Sequence, residues 1–267
     1  MGTKLKRDSK YKILMFAPAF APLVNPEAIV NSKLALAFLD AGWHVDIISR
    51  NLAEEGQAHS YGSSWNEPWT ALRDRTHIVT CKGLVGRRQW LYRAWNCVAS
   101  GFPLDHSRWG MHAFDHALKL HCLYGYDVII SRALPDSAHI PAIMFSRKTG
   151  IPWIANWNDP PCAKMPDPDG QGENASLGFF YERLLRAVAN RAHALTFPCE
   201  RLKRYICAYL PIGSAQKSWV IPHVSLQPGS VELSAARKVF SLCHAGNLYN
   251  GRQELFVGVI KVLGDSS

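Results

Sequence analysis

Arg132, His139, Asn156, Asn158 and Asp159 fall within one stretch, DVIISRALPDSAHIPAIMFSRKTGIPWIANWNDP, which runs from Asp127 to Pro160. A fixed cation, an imidazole, two carboxamides and a carboxylate within so short a span are suited to a ligand that carries phosphate and hydroxyl groups. Arg132 can hold a phosphate or stand as a solvated surface cation. His139 can orient a ligand, cap a helix or pack in the core. Asp159 precedes a pair of prolines, where it can bond a hydroxyl or brace the loop through an Asx turn.

The elements that must position these residues are legible around them. Val128-Ile129-Ile130 is a β-branched apolar run, as expected of a strand covered on both faces. Pro135-Asp136-Ser137 forms a turn and cap cluster, and Ile140, Ile143 and Met144 give the inward positions of a following helix. Thr149-Gly150 stops that helix, and Pro152–Ala155 reads as the next strand. The unit is βαβ, with the polar residues near the carboxyl ends of its strands, the place where open parallel sheets bind ligands.

A second βαβ unit occupies 12–49. Lys12–Ala17 reads as a strand, and Pro18, Pro22 and Pro26 punctuate the loop after it. Asn25-Pro26-Glu27 combines an N-cap, a proline at the first helical position and an acid in the first turn. Glu27 can serve there as a functional carboxylate or as a complement to the helix dipole. The helix extends to about Ala41, with Ile29, Leu34, Leu36 and Leu39 expected inward, and Gly42 ends it. His44–Ser49 is the next strand. No glycine lies between Tyr11 and Ala41. The GxGxxG fingerprint is thus missing, which argues against a nicotinamide or flavin site. A helix N-terminus can still hold an anion without it.

Later segments continue the alternation. Residues 51–76 read as a polar surface loop, His77–Cys81 as a short strand and His106–Leu123 as a helix. Further helices are expected over 177–192 and 198–209, the latter with Pro198 at its first position, and strands over 194–197 and 217–222. The layout is α/β: a Rossmann-like parallel sheet with helices on both faces. Domain boundaries are expected as a disordered tail at 1–10, a Rossmann-like domain over 11–222, a linker over 223–238, and a strand-loop-helix over 239–267 that opens an incomplete second domain.

Composition narrows the function. The 267 residues carry thirty Lys+Arg against twenty-one Asp+Glu, a net charge of +9. That balance favours anionic partners, whether phosphorylated substrates or a membrane surface. No nucleic-acid recognition motif accompanies it. The segment LVGRRQWLYRAW, residues 84–95, interleaves arginines with aromatics. It can meet lipid headgroups or form a helix with buried tryptophans. Seven cysteines, without a CxxC pair, read as reduced thiols of a cytosolic protein. His112 and His116 share a helix face, but no third ligand completes a metal site.

The ordered set KILMFAP, NPEAIVNSKLALAFLDAGWHVDIIS, YDVIISRALPDSAH, TGIPWIANWNDP, ANRAHALTF, KSWVIPHV and FSLCHAGNLYNGR resembles the N-terminal half of a GT-B glycosyltransferase of the family-four kind, over about residues 11–263. The resemblance implies an acceptor-side domain facing a donor-side domain across a cleft. It implies hexosyl transfer from a nucleotide-sugar to a glycan or lipid-linked acceptor, with retention at the anomeric carbon. No cofactor or obligatory metal is implied, the nucleotide-sugar being a co-substrate. Acceptor-binding candidates are then Asn25, Glu27, Arg132, His139 and Asp159. Gly246, Asn247 and Arg252 match the donor-diphosphate loop, where Arg252 could offset leaving-group charge. The implied location is cytoplasmic, peripheral at the inner membrane face. Two features depart from the family pattern: the first loop lacks its glycines, and Arg132 stands where many relatives carry a histidine. The carboxylate-bearing donor motif is also absent. A transferase incomplete as given, or a non-catalytic acceptor-binding domain or subunit that needs a separate C-terminal half, are therefore both expected readings. About 130–150 further residues would complete a second domain.

Overall fold

The computed structural model describes residues 11–50, 65–80, 101–102, 107–133, 135–160 and 179–225, with single positions at 91, 94, 95, 97, 98, 257 and 261. The chain divides into two units, Met1–Leu226 and Gln227–Ser267. The described strands are β1 Lys12–Phe16, β2 His44–Arg50, β3 Thr76–Val79, β4 Val128–Ala133, β5 Trp153–Trp157, β6 Ala194–Phe197 and β7 Ser218–Val220. The helices are α1 Pro26–Asp40, α2 Ser107–Tyr124, α3 His139–Thr149, α4 Phe179–Arg191 and α5 Glu200–Cys207.

The strands form one parallel sheet in the order β3-β2-β1-β4-β5-β6-β7. This is the expected Rossmann-like α/β fold. The order runs outward in both directions from β1 and β4, so the topological switch point lies between those two strands. Alternate side chains sort onto opposite faces, as the period of a strand requires. Ile13, Met15, Val45, Ile47 and Ile130 pack under α1. Leu14, Phe16, Ile48, Ile129, Trp153 and Leu195 pack under α2, α3, α4 and α5.

The α1 face differs from the expected one. Ala28, Asn31, Ser32 and Ala35 are the buried positions, whereas Ile29, Leu34, Leu36 and Leu39 are half-buried. Small residues let the helix approach the β1–α1 loop closely enough to bond it. Asn31 Nδ2 donates to the Ala19 carbonyl at 2.8 Å, and the Ala21 N–H donates to Ser32 Oγ at 3.1 Å. Both groups are buried, and a buried polar group must be paired.

Two smaller expectations are corrected. Pro198 lies outside α5, which begins at Glu200 behind Cys199 as N-cap. Within the expected 51–76 loop, Trp69–Arg75 is a 3-10 helix that buries Leu72 completely, and β3 starts at Thr76. Gly150 ends α3 as read, with φ +75, a left-handed backbone that a side chain would strain. The segment 84–95, apart from Leu91, Ala94 and Trp95, lies outside the described residues.

Candidate functional site

Register decides where Arg132 stands. Phe16, the last residue of β1, pairs with Ser131. Arg132 and Ala133 therefore overhang β1 at the switch point, beside Asn156 and Trp157 of β5. Only 5% of Arg132 is exposed, which rules out the solvated surface cation, one of its two readings. Its Nε donates to Asn31 Oδ1 at 2.6 Å, and its Nη2 donates to Asn158 Oδ1 at 3.2 Å. Burial lowers its pKa to about 10, with the charge of Glu27 opposing. Arginine remains the cation of choice at such a site because it stays protonated.

Asn158 links that cation to α1. Its Nδ2 donates to Glu27 Oε1 at 2.6 Å. Since Oδ1 is a carbonyl oxygen and only accepts, the contact from His223 Nε2 at 3.3 Å requires that nitrogen to carry the proton. Burial raises the Glu27 pKa to about 7, against the lowering effect of Arg132 and of bonds from Asn158 and Asn31. Glu27 thus titrates near neutrality, as a functional carboxylate in a cleft often does. His223 is held below the usual imidazole range by burial, then by Arg132 and Lys33, with the charge of Asp159 opposing. Asp159 is exposed and acts on both Glu27 and His223 through its charge.

Asn25 takes the capping role. Its Oδ1 accepts from the Ala28 N–H at 2.7 Å. Glu27, Arg132 and Asp159 therefore lie together, with Asn25 at the rim. His139 does not join them, which corrects its expected place among the acceptor contacts. It is fully buried at the start of α3, its ring 4.6 Å from that of Trp157. Its Nδ1 lies 2.7 Å from Ser131 Oγ, which also accepts from Trp153 Nε1 at 2.7 Å. Burial lowers the His139 pKa to about 3, so the ring is neutral. Nearby, Trp157 Nε1 donates to Asp136 Oδ1 at 3.1 Å, and burial raises that carboxyl to about 7.

Sequence reasoning missed Asn31 and His223 as site residues and left Asn158 without a role. Asn31 falls in the middle of a helix, where a carboxamide reads as solvated. His223 lies sixty-five residues from Asn158, and no local signal joins them. Gly246, Asn247 and Arg252 lie outside the described residues.

Among the described residues no group of three His, Cys, Asp or Glu side chains is placed to hold a metal ion. No described helix is long and apolar enough to cross a membrane. His116 instead faces His77, with ring centroids 5.2 Å apart.

Residues 28–222 match the family model described as a glycosyl transferase 4-like domain. The match covers most of the chain, which therefore belongs to that family. None of the curated proteins compared with the chain matches it significantly. Among solved structures it is similar to a glycosyltransferase from Rickettsia africae ESF-5, at 11% identity and a TM-score of 0.40 over 80% of this chain and 43% of that one. It is likewise similar to sucrose-phosphate synthase from Thermosynechococcus elongatus, at 12% identity and a TM-score of 0.46 over 80% of this chain and 48% of that one. A UDP-N-acetylglucosamine 2-epimerase matches at 11% identity and a TM-score of 0.45, over 79% of this chain and 48% of that one. The chain spans less than half the length of each of these structures.

Proposed function

We propose that this chain forms the acceptor side of a glycosyltransferase. The enzyme would move a hexosyl group from a nucleotide-sugar to a glycan or lipid-linked acceptor in polysaccharide assembly at the cytoplasmic membrane face. The reading rests on family membership and on one observation: the Asn31–Arg132–Asn158–Glu27 network at the sheet's switch point.

The chemistry follows from the charges. The acceptor oxygen bonds to the anomeric carbon as the bond from that carbon to the diphosphate oxygen breaks. The acceptor hydroxyl passes its proton to the departing diphosphate oxygen, on which negative charge grows. Glu27, titrating near pH 7, can accept a hydrogen bond from that hydroxyl and orient it. Arg132 is too buried to grip a ligand freely. It acts through its field and by holding Asn158 and Asn31, while the more accessible Lys33 adds positive charge at the rim. Retention at the anomeric carbon and independence from metal belong to the same reading, with Gly246, Asn247 and Arg252 as the donor-phosphate residues.

Titration calorimetry of a form carrying both domains, against a panel of nucleotide-linked hexoses, tests the reading. Binding followed by sugar transfer supports it. The same measurement separates a second reading, a non-catalytic acceptor-binding domain or subunit that works with a separate donor-binding half. Acceptor binding without any nucleotide-sugar binding would select that second reading.

A further inference from the structure

A cavity of about 370 Å³ lies between α3, α4 and the segment that ends at Phe102, away from the switch-point network. Its apolar lining comes from Phe102, Ile143 and Met144, and its cations are Arg147, Arg183 and Arg191. All three arginines are exposed. Among the described residues none of the three is in an ion pair, whereas the neighbouring Arg186 pairs with Glu182 at 3.8 Å. Gly101 has a left-handed backbone, φ +81, and a Cβ there would stand 3.4 Å from Arg183 Nη2. The absence of a side chain at that position leaves room beside the guanidinium.

The rim carries a second feature. Leu91, Trp95 and Val98 have helical backbone and are 61%, 63% and 82% exposed. In sequence they stand four and then three residues apart, the spacing that suits one helical face. Cys97 and Val98 also line the cavity. Exposed apolar side chains beside arginines that no described acid pairs are the composition of a surface that sinks into the headgroup region of an anionic bilayer.

We propose that the Arg147–Arg183–Arg191 cavity binds the phosphate of an anionic lipid headgroup, with Leu91, Trp95 and Val98 entering the adjoining acyl boundary. Three guanidinium groups offset a phosphate's charge and offer it paired N–H donors. The apolar lining accepts the first carbons of the lipid. This surface does not depend on the transferase reading, because its test follows membrane binding and not sugar transfer.

The full chain is sedimented with vesicles of phosphatidylcholine alone and of equimolar phosphatidylcholine and phosphatidylglycerol. Binding is expected only to the anionic vesicles. The triple variant Arg147→Gln, Arg183→Gln, Arg191→Gln should bind them on the order of 100-fold more weakly, since each basic residue near such a surface is worth about fivefold. A control triple variant, Arg186→Gln, Arg201→Gln, Arg204→Gln, loses the same charge from elsewhere on the surface and should change binding only a few-fold. Val98→Asp should weaken binding with the arginines intact. Equal losses in the two triple variants would mean simple charge attraction and overturn the site. Pyrophosphate binding that depends on the three arginines, without vesicle binding, would also overturn it in favour of a soluble phosphate. Circular dichroism of each variant establishes that the fold is kept.

Discussion

Arg132, on the overhang of β4, donates from Nε to Asn31 Oδ1 on α1 at 2.6 Å, across 101 residues of sequence. Asn31 in turn bonds the Ala19 carbonyl, so one carboxamide fixes both the cation and the loop that borders it. Arg132→Lys keeps the charge and loses the planar fork that reaches Asn31 and Asn158 together. Sugar transfer by a form carrying both domains should fall about 100-fold, and stability should fall by about 1–3 kcal/mol as a buried carboxamide loses its donor. A variant with full activity would remove Arg132 from the site.

Glu27 should set the pH dependence of that transfer. Its raised pKa, about 7, places an ionisation in the rate profile near neutrality. Glu27→Gln should flatten the profile there. A limb of the same shape in the variant would assign the ionisation to another group.

Asp136 gives a stability prediction of definite sign. Its folded pKa of about 7 exceeds the ordinary 3.8, so the folded state holds its proton where the unfolded chain has lost it. Stability from this group is intact below about pH 4 and falls as pH rises through about 7. Asp136→Asn removes the titration and keeps an acceptor for Trp157. Relative to wild type it should gain up to a few kcal/mol at pH 8, at about 1.4 kcal/mol per tenfold, and gain nothing at pH 4. Chemical denaturation at the two pH values measures the difference.

Ser131 supports two buried partners, Trp153 Nε1 and His139 Nδ1. Ser131→Ala leaves both without this hydrogen bond. The expected cost is about 2–4 kcal/mol, because an unsatisfied buried group costs roughly 1–3 kcal/mol. Urea denaturation would show it, and a loss under 1 kcal/mol would mean that water replaces the hydroxyl.

The α1 cap offers a smaller test. Asn25→Ala removes the acceptor for the Ala28 N–H and should cost about 1 kcal/mol. Asn25→Gly should cost only a few tenths. A loss of acceptor binding beyond that cost would give Asn25 a second role at the rim.

Much of this protein is local, and its sequence determines it alone. The apolar runs of β1, β2 and β4 give the strands because a parallel strand is buried on both faces. The cap at Asn25-Pro26-Glu27 and the stop at Gly150 follow from backbone geometry that only a few residue types satisfy. With the βαβ alternation they define an α/β sheet and put Arg132 and Asp159 near its carboxyl edge. The tertiary structure alone decides what those residues touch. Arg132 stands on a strand overhang of two residues and is buried there, a choice between its two readings that the sequence left open. Close packing through Ala28, Ser32 and Ala35 makes a polar-looking helix face the inner one and brings Asn31 to that cation. Full burial against Trp157 takes His139 away from the ligand side, and His223 reaches Asn158 from the far end of the domain. Burial and long-range pairing depend on the whole packed chain, so no local window of sequence encodes them.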